Sequence, residues 1–203
     1  MKIACVSDNH SHAPPPIQDV DFWLHAGDIY DGRNHKLHDS WLKIPEIYAV
    51  RGNHDYYDHK KFMKPEVEVT GIVREVRPGF FIVGIGWCSN RFFELPLNDN
   101  IAKCCHEVLR QCLFKMKDGD QSIILSHYAP LTDKIVGGSK EGWMYSSIQK
   151  VVEAIKPIAV VYGHIHDLFG QTYVKDGTLY ICAGPKGGVL DTQSSTFSIT
   201  PTQ

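Results

Sequence analysis

The stretch Ile3-Ala4-Cys5-Val6-Ser7-Asp8-Asn9-His10 passes from an apolar, partly β-branched run into a carboxylate, an amide and an imidazole. Short apolar runs of this kind read as buried strands, and open α/β sheets build their sites at the carboxyl ends of strands. The same step recurs four times. Phe22-Trp23-Leu24 leads to Gly27-Asp28, Ile47-Tyr48-Ala49-Val50 to Gly52-Asn53-His54-Asp55, Ile123-Ile124-Leu125 to Ser126-His127, and Ile158-Ala159-Val160-Val161-Tyr162 to Gly163-His164-Ile165-His166. Five strands that each deliver polar side chains to one end describe an α/β protein with its site at that end.

The clusters supply at least three imidazoles, two carboxylates and an amide, and no thiolate. This mixture suits borderline to hard divalent ions, with Mn²⁺ the first choice in vitro and Fe, Zn or Ni also accepted. Seven candidate ligands are too many for one ion that must keep positions open for water and substrate. Two ions sharing a carboxylate fit better. Such ions, roughly 3.5–4 Å apart, activate a bridging hydroxide and hold both oxygens of an in-line phosphoryl displacement. The implied chemistry is phosphoester hydrolysis.

The chain has 203 residues, which predicts one domain spanning 1–203. Its 21 basic and 23 acidic residues leave a net charge of −2 with no long like-charged block, which disfavours a nonspecific nucleic-acid grip. Met1-Lys2-Ile3 enters the first strand directly and is not read as a cleaved signal peptide. No apolar stretch approaches the roughly 18–20 residues of a membrane span. The six cysteines, at 5, 88, 104, 105, 112 and 182, lack paired-thiolate spacing and read as buried free thiols in a reducing, cytoplasmic setting. The protein is expected to act as a monomer or homodimer on a small-molecule phosphoester.

Pro14-Pro15-Pro16 breaks any helix after the first cluster, so the first crossover must be short. A brief helix is predicted around 35–43, before Pro45. The alternating segments at 67–69 and 72–76 and the run Phe80–Trp87 read as locally paired strands of a second sheet. Apolar residues at 101, 104, 105, 108, 109, 112 and 113 mark one face of a helix over 100–117. A second helix is expected from an N-cap at Ser146 or Ser147 to before Pro157. Residues 169–181 read as two strands around Lys175-Asp176-Gly177, and 184–188 as a loop.

Taken in order, Asp8-Asn9-His10, Gly27-Asp28, Gly52-Asn53-His54-Asp55, His127 and Gly163-His164-Ile165-His166 resemble the D-x-H, G-D, G-N-H-D/E, H and G-H-x-H blocks of the calcineurin-like metallophosphoesterase superfamily. The resemblance implies a four-layer α/β/β/α sandwich of two mixed sheets flanked by helices. It implies that Asp8, His10 and His166 hold one metal, that Asn53, His127 and His164 hold the other, and that Asp28 bridges them. His54 would contact phosphate and assist the leaving oxygen, with Asp55 fixing its tautomer. The protein phosphatases of that superfamily carry G-D-x-x-D-R-G, whereas this chain has Gly27-Asp28-Ile29-Tyr30-Asp31-Gly32-Arg33 and ends its third block in Asp55. The pair His164 and His166 instead resembles the small, cap-free, phosphodiesterase-like branch. Phosphodiesters or small phosphomonoesters are the implied substrates. A phosphoprotein phosphatase, a nuclease and a scaffold with a degenerate site are the alternatives.

Other side chains have plainer readings. His25, inside an apolar strand, is expected to be a hydrogen-bonded core residue; His12 a loop residue; His35, His38, His59 and His106 solvated. Arg33, Arg51 and Arg91 are candidates for phosphate contact or for plain surface positions. The segments 137–145 and 87–93, rich in aromatics, are candidate substrate walls.

Overall fold

The computed structural model of the protein describes residues 1–31, 36–55, 62–87, 96–131 and 144–200. The chain enters through β1 (Lys2–Val6), β2 (Phe22–His25) and β3 (Ile47–Ala49), then forms β4 (Val73–Arg77), β5 (Phe80–Ile85) and helix α1 (Leu97–Lys115). It continues with β6 (Gln121–Ser126), β7 (Ala129–Pro130), β8 (Met144–Tyr145), helix α2 (Ser146–Ile155) and β9 (Ala159–Tyr162). The strands β10 (Thr172–Lys175), β11 (Thr178–Cys182), β12 (Gly188–Asp191) and β13 (Thr196–Ile199) complete it. One sheet has the order β13-β12-β1-β2-β3 and the other β10-β11-β9-β6-β5-β4. Both are mixed: β1, β2 and β3 run parallel, with β12 antiparallel to β1 and β13 antiparallel to β12 on one side, and β11, β9, β6 and β5 run parallel with antiparallel β10 and β4 at the two edges.

Side-chain alternation explains why the central strands have no polar face. Ile82, Ile123, Leu125, Val161, Leu179 and Ile181 meet Ile3, Cys5, Phe22 and Leu24 between the sheets. The intervening Val83, Ile124, Val160, Tyr162 and Tyr180 face Ile101, Cys104, Val108, Ile148 and Val151 of the two helices. On the far side, Ala4, Val6, Trp23 and Ala49 pack on Ile17, Ile29, Trp41, Phe62 and Met63. The cover over this outer face includes the 3₁₀ turn Asp39–Lys43, which supplies Trp41. The expected sandwich of two mixed sheets with helices is present.

Several local expectations shift. The predicted apolar stripe on α1 includes Leu113, which is 85% exposed, as is the adjacent Phe114 at 80%; the stripe ends at Cys112. Helix α2 is preceded by Tyr145 and has no side-chain cap, because β8 leads directly into Ser146 as the first helical residue. Residues 67–69 make only an isolated bridge, Ala49 to Glu68. The hairpin β10–β11 forms as expected. At the edge strand β4, α1 covers exposed backbone: Gln111 accepts from the Val73 amide, and Lys115 Nζ donates to the Val73 carbonyl. Edge strands need such cover to stay closed to other chains. Cys5, Cys104, Cys105, Cys112 and Cys182 are free and buried; Cys88 lies outside the described residues.

Candidate metal centre

The central strands of both sheets end on one side, and the turns after β1, β2, β3, β6 and β9 meet there. Four of the candidate ligands in these turns have left-handed backbone: Asp8 (φ 55°), His10 (φ 43°), Asp28 (φ 55°) and His164 (φ 65°). Non-glycine residues rarely adopt this conformation, and such strain gathers at functional sites. Cross-links hold the turns. Asp8 N–H donates to Gly27 O (2.9 Å), His10 N–H to Asp28 O (3.1 Å) and Gly163 N–H to His127 O (3.1 Å).

Within this frame the ligating atoms of Asp8, His10 and His166 lie within 4.8 Å of one another, and so do those of Asp8, Asp28 and His127. Asp8 and Asp28 are both buried. His166 Nε2 is 3.6 Å from Asp8 Oδ1. His127 donates from Nδ1 to the Ala26 carbonyl at 2.9 Å, which orients its Nε2 toward Asn53 Oδ1 at 2.9 Å and Asp28 Oδ2 at 3.4 Å. That nitrogen and two oxygens converge from three turns. Either a proton on Nε2 or a cation among them satisfies such a cluster, and the donor set fits a divalent metal. Burial works against charge on His127, but the Asp28 and Asp8 carboxylates outweigh it and raise its pKa. His164 is lowered to about 4, by burial first and then by His127, so it is a neutral imidazole. Its ring lies 5.0 Å from that of His127, and its backbone N–H donates to the Asp8 carboxylate.

His54 sits on the solvent side, with its side chain 44% exposed, its N–H donating to Asp28 Oδ1 at 2.8 Å and its ring 5.1 Å from that of His10. The expected contact between Asp55 and the His54 imidazole is absent. Asp55 is fully buried; Oδ2 accepts from the N–H groups of Asp28 (2.8 Å) and Gly52 (2.9 Å), and Oδ1 from that of Tyr30 (3.1 Å). It ties the turn after β2 to the turn after β3. Burial, and next the Asp28 charge, raise its pKa against the opposing N–H bonds.

Arg51 is neither a phosphate clamp nor a surface residue. It is buried, and its guanidinium forks onto Glu68, Nε to Oε1 at 2.6 Å and Nη2 to Oε2 at 3.0 Å. His12, His38 and His106 are exposed, as expected. Arg33, His35, His59 and Arg91 lie outside the described residues, as does most of both candidate substrate walls. The loop at 184–187 has a role that its residues do not announce. Ser7 and Gly184 exchange two hydrogen bonds, Ser7 N–H to Gly184 O at 3.1 Å and Gly184 N–H to Ser7 Oγ at 2.9 Å. A glycine-proline loop carries no chemical signal that would reveal this.

The glycines beside the ligands are explained by close approach. A Cβ on Gly52 would lie 2.1 Å from Asp28 Oδ1, and one on Gly163 would lie 2.2 Å from Asp8 Oδ2. Gly52→Ala is therefore expected to displace Asp28 and lower metal affinity at least about tenfold, while leaving the distant helical core intact. Calorimetric titration with Mn²⁺ and a thermal melt of the same sample check both parts.

Among the described residues, no helix is long and apolar enough to cross a membrane. The chain is similar to several known proteins in sequence or fold. The chain is 25% identical over 225 aligned residues to UPF0046 protein K07C11.7 of Caenorhabditis elegans, covering 98% of this chain and 75% of that protein. Its fold is similar to TT1561 of Thermus thermophilus, with TM-score 0.64, 11% identity, and 98% and 97% of the two chains covered. It is also similar to the phosphopantetheinyl hydrolase PptH of Mycobacterium tuberculosis, with TM-score 0.59, 16% identity, and 90% and 88% covered. The family model described as calcineurin-like phosphoesterase matches residues 1–168, a span that holds all five turns with candidate ligands, and the chain belongs to that family.

Proposed function

We propose that the protein is a dinuclear metal-dependent phosphoesterase that hydrolyses phosphodiesters or small phosphomonoesters. The observation that carries this reading is the pair of buried carboxylates, Asp8 and Asp28, whose ligand atoms lie within 4.8 Å of each other and of a ligand nitrogen of His127. Two like charges held that close in a buried site call for cations. Asp8, His10 and His166 would hold one ion, Asn53, His127 and His164 the other, and Asp28 would bridge. Bound there, the ions would supply an activated water and positive charge at the phosphoryl oxygens.

The chain's own groups do the rest. The hydrogen bond from His127 Nδ1 to Ala26 O fixes which ring nitrogen faces the site. His54, anchored through its N–H to Asp28 and open to solvent, is the proton donor for the departing oxygen. Among the described residues five cysteines are buried and free, which favours a reducing, cytoplasmic setting.

The test is hydrolysis of p-nitrophenyl phosphate and bis-p-nitrophenyl phosphate by metal-stripped protein refilled with Mn²⁺. Metal-dependent turnover is expected, with the diester faster. His54→Ala should keep its metals and lose about 10²–10⁴ in turnover. A His54→Ala protein without metal would sink the assignment of His54, and a wild type that binds two ions yet cleaves neither ester would favour a narrow substrate specificity or the scaffold. Metal removal itself is expected to lower the melting temperature by about 10 °C, since ligand at about a thousand times Kd adds about 4 kcal/mol to a domain of this size.

A further inference from the structure

His25 is fully buried on β2, three residues before Asp28, and its Nε2 lies 3.0 Å from Asn9 Oδ1. Asn9 is itself buried, between the two left-handed ligands Asp8 and His10. The other end of its amide, Nδ2, donates to the Pro185 carbonyl at 3.3 Å. A carbonyl only accepts, so the Asn9 amide must present its NH₂ to Pro185 and its oxygen to His25. The facing nitrogen of His25 therefore carries a proton. Its other nitrogen, Nδ1, is buried with no hydrogen-bond partner, and the ring sits edge-to-face 5.0 Å from Trp41.

An apolar ring of similar size would fill this place between strand and Trp41 and remove the bare Nδ1, but would leave the buried Asn9 Oδ1 without its donor. What histidine adds is the single bond to Asn9. We infer that His25, as a neutral imidazole protonated on Nε2, is a positioning residue that holds the Asp8–His10 turn in its ligating shape through Asn9. The inference rests on the metal-centre reading above. Burial supports it by pushing the His25 pKa down to about 3, with His127 and His10 adding to the effect, so the ring stays neutral at any working pH. The arrangement also ties the first ligand turn to two other parts of the molecule at once, strand β2 and the 184–187 loop.

The experiment compares wild type, His25→Phe and His25→Gln. Phenylalanine keeps the bulk against Trp41 and removes the donor; glutamine places an amide nitrogen near the lost Nε2. His25→Phe exchanges the unpartnered Nδ1 for an unpartnered Asn9 Oδ1 and is expected to melt close to wild type without metal, yet to bind Mn²⁺ about 10- to 100-fold more weakly by calorimetry. His25→Gln should recover most of that loss. Long-range ¹H–¹⁵N correlation spectra of the metal-free wild type should show His25 as the Nε2–H tautomer, unchanged from about pH 5 to 8. Wild-type Mn²⁺ affinity in His25→Phe, or a proton on Nδ1, overturns the inference alone. A wild type that binds no Mn²⁺ overturns the metal-centre reading and this inference with it. If His25→Phe fails to fold, the tautomer measurement decides.

Discussion

Replacing Asp55 by alanine is expected to destabilise the folded protein by about 3 kcal/mol or more and to empty the metal centre in the same step. The carboxylate accepts three backbone N–H groups, from Asp28, Gly52 and Tyr30, at 2.8–3.1 Å, and none of its surface meets solvent. Each buried donor left without an acceptor costs about 1–3 kcal/mol. A water entering the vacated space would return part of that, so the lower end of the sum is the expectation. The two turns it joins carry Asp28 and Asn53, and once they separate the ligands no longer converge. Asp55→Asn, with one accepting oxygen, should fall between. Urea unfolding midpoints and metal content of the purified variants check this. An Asp55→Ala protein with wild-type stability and full metal, but reduced turnover, would restore the role of tautomer anchor for His54.

Asp28→Ala is expected to behave oppositely: almost no turnover, with little loss of fold. Oδ1 accepts from the His54 amide and Oδ2 lies 3.4 Å from His127 Nε2, so its removal takes away the proposed shared ligand and the anchor of His54 together. Turnover should drop at least about a thousandfold, a rise of about 4 kcal/mol in the barrier. Without metal, however, Asp28 is one of three buried carboxylates among the described residues, with Asp8 and Asp55. Removing one of three like charges offsets the lost hydrogen bond. The metal-free variant should therefore lie within about 1 kcal/mol of metal-free wild type, by the same urea titration. An Asp28→Ala protein that still turns over ester with added Mn²⁺ would remove Asp28 from the bridge.

The contrast between these carboxylates marks what the sequence conveys. Asp8, Asp28, His127 and His166 could be picked out because a metal demands those residue types, and each lies just past a run such as Ile123-Ile124-Leu125 whose apolar character announces a buried strand. The buried strands were legible for the same reason, since strands buried on both faces leave no polar alternation, whereas their arrangement as a sandwich came from the family resemblance. Asp55 was legible as a carboxylate in the right place but not by its partners, because a side chain's neighbours depend on how two distant turns pack. Arg51 hid its role likewise: a guanidinium suits phosphate and Glu68 equally, and only the fold brings Glu68 to it. Leu113 fits the helical period but lies past the end of the packed stripe, which periodicity does not register. Tyr145 before α2 shows the limit of capping rules where a strand feeds a helix directly.

The close approach at Gly52 and Gly163 has a consequence for how such a protein can change over generations. No coded residue is smaller than glycine, so every missense mutation at these two positions adds a group where a ligand carboxylate already lies. These positions can only be left in the direction of a poorer site, and returning requires the same codon to revert. A single substitution at either position is therefore expected to weaken the proposed metal site, and only a return to glycine restores the space that the carboxylate occupies.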